Sequence, residues 1–166
     1  FATEAEFDIG PLRASGRRLL EVGRTCLLPE HRGGAAMHRL WQGLAAVVEE
    51  RGTGLLFGLA SLPGTDPAPW RGALACLARD HLAPEGLRPA ARRAVPLDLA
   101  PEAPVDRRAA VLAMPALLKA YLRLGGKVGE GAFADPDFGC LDLCVVLDAG
   151  GIGARARAIY AGGGAP

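Results

Sequence analysis

At 166 residues the chain is long enough for one domain with its own hydrophobic core, and with 50% of its residues hydrophobic it is too apolar for bulk disorder. Its 19 basic and 18 acidic residues leave a formal charge of +1; with no basic stripe interleaved with aromatics, nucleic acid is excluded as a first partner. No stretch approaches the roughly 18 apolar residues of a membrane span and no signal peptide is visible, so the protein is expected to be cytoplasmic, soluble or at most peripheral to a membrane.

Residues 1–18 carry little periodicity and are broken at Gly10-Pro11. The run from Leu19 to Leu28 reads as a buried strand interrupted by Glu21, Gly23, Arg24 and Thr25, and Pro29 ends it. A Gly-rich turn, Glu30 to Ala36, opens an amphipathic helix to about Arg51. Met37, Leu40, Trp41, Leu44, Ala45 and Val48 are spaced for its apolar face, and Gly52 stands just past its end. Residues 55–61 read as a second buried strand. Strand, turn, helix and strand in this order imply a parallel β-α-β unit. After a loop at 62–70, a helix is expected from about Arg71 to Leu82 with Leu74, Cys76, Leu77 and Ala78 in the core. Five prolines between residues 83 and 110 forbid a long regular element, leaving a surface excursion around one short strand near 94–99. Pro115 suits the first turn of a helix whose buried face is Leu117, Leu118, Tyr121 and Leu122. Short strands at about 127–133 and 141–147 follow. We expect a single domain over 1–160 and a disordered tail at 161–166.

Several residues could carry chemistry. The turn His31-Arg32-Gly33-Gly34-Ala35 lies between a strand and a helix, where free N–H groups and small side chains suit a phosphate, and Arg32 adds a charged donor. The same composition also suits an ordinary connection. Glu21 and Arg24 lie in an apolar strand on opposite faces of its ideal form; a bulge at Gly23 would bring them to one side. A buried carboxylate with a raised pKa would serve as a general base, and a structural Glu–Arg ion pair is the competing explanation. Lys119 and Arg123, four apart on one helix, either meet an anionic partner or reach water. His31, His38 and His81 share no motif. Cys26, Cys76, Cys140 and Cys144 form no C-x-x-C pair and have no histidine at ligand spacing, so reduced core thiols are expected and no metal.

Taken together, a strand ending in Pro, an Arg-Gly-rich turn, an amphipathic helix and a buried strand resemble the donor-binding core of the GNAT acyltransferases. The segments VGRTCLLPEHRGGAAMHRLWQGLAA, FGLASLPGTDP, MPALLKAYLRLGGKVGEG and ADPDFGCLDLCVVL resemble the L-ornithine Nα-acyltransferases of ornithine-lipid synthesis. The resemblance implies a GNAT-like α/β fold with a mixed sheet. It implies an N-acyltransferase that moves a (3-hydroxy)acyl group from acyl carrier protein to the α-amine of ornithine, giving lyso-ornithine lipid. It implies no permanently bound cofactor and an acyl-phosphopantetheine donor. Glu21-Val22-Gly23-Arg24 is also similar to the Glu-x-Ser-Arg strand of the acyl-homoserine-lactone synthases, with Gly23 in place of Ser. Carried over, Glu21 is the general base, directly or through a water, and Arg24 a site-organising cation. Arg32, Gly33, Gly34 and Ala35 would hold the donor phosphate. Glu30 stands where CoA-using members carry Gln or Arg, which suits the single phosphodiester of acyl carrier protein over acyl-CoA. The family has three strands and two helices before the Glu21 strand, and only about 20 residues precede it here, with room for one strand. The acceptor-binding part is therefore expected to lie outside this sequence. An autoinducer-type synthase and a non-catalytic acyl-carrier or lipid-binding module are the alternatives.

Overall fold

In the computed structural model, residues 1–26, 28–31, 35–97 and 105–151 are described. The sheet is mixed, as the resemblance implies. Strand β2 (Leu19–Glu21) runs parallel to β3 (Leu55–Pro63) through helix α2 (Ala35–Glu50). The long strands β3 and β8 (Cys140–Asp148) pair antiparallel along their whole length, from Leu55 opposite Asp148 to Pro63 opposite Cys140. Beyond β8 lie β7 (Ala132–Asp135) and β5 (Ala94–Val95), and β6 (Lys127–Val128) pairs with the far part of β8. A separate two-stranded ladder joins β1 (Phe7–Asp8) to β4 (Ala90–Ala91).

Strand periodicity assigns the two faces of the sheet. Leu56, Ala60 and Leu62 of β3 and Leu141, Leu143, Val145 and Leu147 of β8 pack against the helices, with Trp41 of α2 and Leu74 and Leu77 of α3 (Arg71–Asp80). Leu118 and Tyr121 of α5 (Ala116–Arg123) join the same layer, and Tyr121 meets Trp41 edge to face at 5.2 Å. The alternate residues Leu55, Phe57, Cys144 and Val146 face the N-terminal segment, which contributes Phe7, Ile9 and Leu12. Those three side chains are fully buried, although their segment shows no regular pattern. It is a 3-10 turn (Ala2–Ala5), β1 and the five-residue helix α1 (Gly10–Ala14), with Pro11 in its first turn. The irregular segment thus supplies a layer of core.

The elements differ from the sequence reading in five places, the first being the strand expected near 127–133, which is two, β6 and β7. The strand expected over 19–28 ends at Glu21, because the chain leaves the ladder after Val22. Leu40, expected on the buried face of α2, is 42% exposed. The short strand near 94–99 is the two-residue β5, accompanied by β4. Helix α4 (Arg107–Ala113) was not expected; Asp106 starts it by accepting hydrogen bonds from the backbone N–H groups of Arg108 (2.9 Å) and Ala109 (3.1 Å). The tail at 161–166 lies outside the described residues. Among the described residues no helix is long and apolar enough to cross a membrane.

Candidate active site

The β2–β3 pair is joined only over its first turns of ladder. Leu19, Leu20 and Glu21 oppose Leu55, Leu56 and Phe57, and the Val22 N–H donates to the Phe57 carbonyl at 2.8 Å. At the next position the backbones touch. A Cβ on Gly58 would fall onto the Val22 carbonyl oxygen and lie 3.1 Å from its carbonyl carbon, so only glycine allows this crossing. Beyond it the strands part: residues 23–26 leave the ladder while β3 continues to Pro63. Arg24 takes a left-handed φ of 52°, so the chain turns at Arg24, one residue past the Gly23 at which a bulge would bring Glu21 and Arg24 to one side. The result is a cleft walled by the free edge of β3, whose N–H groups have no strand partner there among the described residues.

Glu21 is the last residue of β2 and is half-buried on the face covered by the N-terminal segment. Its carboxylate accepts from the backbone N–H groups of Ala2 (2.9 Å) and Thr3 (2.7 Å) and from the Thr3 hydroxyl (2.6 Å). It therefore caps the first 3-10 turn rather than facing Arg24, which is exposed. Partial burial alone would raise its pKa, but the hydrogen bonds from Thr3 and Ala2 outweigh it and hold the carboxyl below its ordinary range. The raised pKa expected of a buried base in this strand is thus replaced by a stabilised anion. Arg32, Gly33 and Gly34 lie outside the described residues; Ala35 is the first residue of α2, the end of a helix where backbone N–H groups are free. Glu30 and His31 are exposed in a 3-10 turn just before it. Lys119 donates to the Leu112 carbonyl at 3.1 Å, and Arg123 is exposed.

A second polar group, unforeseen from the sequence, occupies the same face of the sheet. Ser61 on β3 stands opposite Asp142 on β8, and Asp135 on β7 opposite Cys140 on β8. Asp142 is 4% exposed and accepts from the Ser61 hydroxyl at 2.5 Å and the Cys140 thiol at 3.4 Å. Glu6 reaches this group from the N-terminal segment. Burial first, then the negative charges of Asp142 and Asp135 and a hydrogen bond shared with the Asp142 carboxylate, push its carboxyl up to about 7. Burial and Asp142 likewise push the Cys140 thiol up to about 11. Between Glu6 and Glu21 lies Cys144, whose thiol is raised by burial and by both carboxylates. The ligand atoms of Asp135, Cys140 and Asp142 lie within 4.8 Å of one another, close enough to hold a cation. Cys76, Cys140 and Cys144 are buried free thiols as expected, whereas Cys26 is exposed because the chain has left the sheet there. A lone Asp in the apolar run CLDLCVVL was the available signal for Asp142; Glu6 and Gly58 gave none.

Residues 1–42 match the acetyltransferase (GNAT) domain, a stretch that contains Glu21, Arg24 and the glycine turn. Proteins named L-ornithine N(alpha)-acyltransferase are similar over nearly the whole chain. That of Rhodobacter capsulatus is 53% identical over 160 residues, covering 96% of this chain and 62% of that protein. That of Rhizobium meliloti is 38% identical, covering 93% of this chain and 54% of its own length. That of Agrobacterium fabrum is 37% identical, covering 98% and 57%. The chain thus spans 54% to 62% of the length of these curated relatives. No solved structure matches it.

Proposed function

We propose, on the premise that this chain is a homologue of the L-ornithine N(alpha)-acyltransferases, that it is the donor-binding part of an N-acyltransferase. The protein transfers a (3-hydroxy)acyl group from acyl carrier protein to the α-amine of ornithine and so makes lyso-ornithine lipid. The observation that carries the reading is the 53% identity sustained over 96% of this chain. The crossing of β2 and β3 at Gly58 supports it, since it makes a cleft in which an extended pantetheine arm fits against the free strand edge.

In this reading the donor phosphate rests on Arg32, Gly33, Gly34 and Ala35 at the start of α2. N–H groups of β3 beyond Gly58 polarise the thioester carbonyl. The amine nitrogen attacks the carbonyl carbon, the C–N bond forms, and the C–S bond breaks as the sulfur leaves to be protonated as the thiol. Glu21, ionised at neutral pH, fixes a negative charge beside the amine and takes its proton directly or through a water. Proton transfer from a free ammonium to so acidic a carboxylate is uphill, so the α-ammonium first gives one proton to solvent and attacks as the neutral amine. The second proton passes to Glu21 as the C–S bond breaks, when the nitrogen becomes that of a protonated amide and the transfer runs downhill. Arg24, at the turn of the chain, organises the mouth of the cleft. Glu30 beside the donor turn disfavours the extra phosphates of CoA, so the donor is acyl carrier protein. Such an enzyme works in the cytoplasm, releasing its lipid product at the inner membrane.

The test is a mass-spectrometric assay of the full-length protein with 3-hydroxyacyl carrier protein, the matching acyl-CoA and a panel of amines. Acyl-ornithine formed from the carrier-protein donor alone is the expected result. Product from acyl-CoA overturns the donor assignment, and acylation of another amine in place of ornithine overturns the acceptor. No product with any pair overturns the enzyme reading.

A further inference from the structure

Positive charge is gathered onto one part of the chain. From Arg107 to Gly129 the sequence has five cations, Arg107, Arg108, Lys119, Arg123 and Lys127, and no acidic residue. Everywhere else 14 basic residues stand against 18 acidic ones, so a single stretch makes an otherwise negative chain positive. The same stretch has no Ser, Thr, Asn, Gln or His, and Tyr121, which carries its one hydroxyl, is buried. It holds α4 and α5, which meet at Met114 and Pro115. Arg108, Val111 and Leu112 are three and four apart on α4 and share a face. On that face Val111 is 37% and Leu112 66% exposed. Lys119 of α5 donates to the Leu112 carbonyl at 3.1 Å, which seats its ammonium beside the apolar pair, and Arg123 follows one turn later. Arg107 pairs with Asp80 at 3.3 Å, and Asp106 is turned onto the first N–H groups of α4. Arg108 and Arg123 are exposed and form no salt bridge among the described residues. The outer face of this helix pair is two aliphatic side chains set among uncompensated cations.

We infer that this face docks the protein on an anionic lipid bilayer, with Val111 and Leu112 entering the headgroup boundary and Arg108, Lys119 and Arg123 meeting lipid phosphates. The side-chain chemistry selects that occupant. Cations and aliphatic groups together are what an interfacial helix presents to lipid, and each Lys or Arg near an anionic leaflet strengthens the attachment. A protein partner is held instead by aromatic anchors inside a rim of directional hydrogen bonds. This face has no exposed aromatic and no neutral hydrogen-bonding side chain. Its place in the fold agrees. The Trp70 indole N–H donates to the Pro63 carbonyl at 3.0 Å, which pins the start of α3 to the end of β3. A Cβ on Gly72, two residues on, would stand 3.6 Å from the Ala110 Cβ of α4. Helix α4 therefore lies at the end of the sheet where β2 and β3 have parted. The use of the face rests on the acyltransferase reading: an acyl chain transferred in that cleft leaves it beside the bilayer.

The experiment sediments full-length protein with vesicles of phosphatidylcholine alone and of phosphatidylcholine mixed with phosphatidylglycerol, at low and high salt. Wild type is compared with the double variant Arg108→Gln, Arg123→Gln and with Leu112→Ser. Wild type is expected to bind the anionic vesicles, less so at high salt, and the neutral ones weakly. The double variant is expected to lose about tenfold or more in vesicle partitioning, and Leu112→Ser about fivefold or more. All three positions are exposed, so both variants should keep the wild-type unfolding midpoint; if one unfolds, the other decides. Both should also acylate ornithine from soluble acyl carrier protein at the wild-type rate when no vesicles are present. Undiminished vesicle binding by the variants, or equal binding of wild type to neutral and anionic vesicles, overturns the inference. Variants that keep vesicle binding but lose affinity for acyl carrier protein overturn it too, and make the face a protein-docking one. If wild type acylates no amine but its vesicle binding falls in the variants, the surface stands and the acyl-transfer reading fails.

Discussion

Replacing Gly58 with alanine puts a methyl group where the Val22 carbonyl now lies. The neighbour is backbone, held in register by the Val22 N–H to Phe57 bond of 2.8 Å, so no side chain can rotate away. The strands must separate, which breaks that bond and disturbs the Leu20–Leu56 and Glu21–Phe57 pairs next to it. Forcing a methyl into packed structure costs about 1–3 kcal/mol, and the lost backbone bond about 1 kcal/mol more. For a chain of this size a loss of about 2–4 kcal/mol lowers the unfolding midpoint by about 4–16 °C. Gly23→Ala is the control: a Cβ there meets nothing within 4 Å, and the midpoint should stay within about 2 °C. Thermal unfolding of full-length protein, with and without the acyl-carrier donor, measures both effects. Gly58→Ala is expected to lose donor stabilisation as well as stability, because the cleft begins at this crossing. A Gly58→Ala midpoint equal to that of Gly23→Ala would refute the argument that the strands touch here.

Glu21→Gln is expected to cost about 1–2 kcal/mol at neutral pH through weakened hydrogen bonds from Ala2 and Thr3, and to cut turnover about 10²–10⁴-fold; an unchanged kcat would remove Glu21 from the chemistry. Since the folded pKa of Glu21 lies below its ordinary 4.5, its contribution is present above that pH and is lost as the pH falls through the folded value, a loss that Glu21→Gln should abolish in acid-unfolding curves. Glu6 has the opposite sign: with its carboxyl pushed up from 4.5 to about 7, the native state holds an extra proton between those values and stability falls as the pH rises through them. Glu6→Gln should flatten that slope in urea titrations and exceed the wild type at pH 8 by about 1–2 kcal/mol, after allowing for water at a half-buried group. Asp106→Ala removes the two hydrogen bonds that start α4 and should cost about 1 kcal/mol in chemical denaturation.

The elements that were legible in advance are those whose pattern is local. Helix α2 and the helices near 71–80 and 116–123 bury one face, and the strands β3 and β8 are apolar runs covered on both faces, so apolar spacing and apolar runs announce them. The β-α-β order and the resemblance to ornithine acyltransferases rest on the same contiguous stretches. Where the chain's conformation depends on a contact made from elsewhere, the pattern misled. The run from Leu19 to Leu28 is apolar enough for a strand, but the Val22 carbonyl pressing on Gly58 and the left-handed Arg24 end the ladder early.

The sequence by itself determined that a carboxylate and a guanidinium interrupt an apolar run, that a glycine turn precedes a helix, and that a lone Asp sits in the last strand. Only the tertiary structure decided what each meets. Glu21 turns to the N–H groups of Ala2 and Thr3 instead of to Arg24, and Asp142 and its strand neighbour Cys140 meet Glu6, Ser61 and Asp135 from three other parts of the chain. The reason is physical: periodicity tells which residues leave water together, whereas charge and hydrogen bonding act through space between groups whose separation along the chain carries no information.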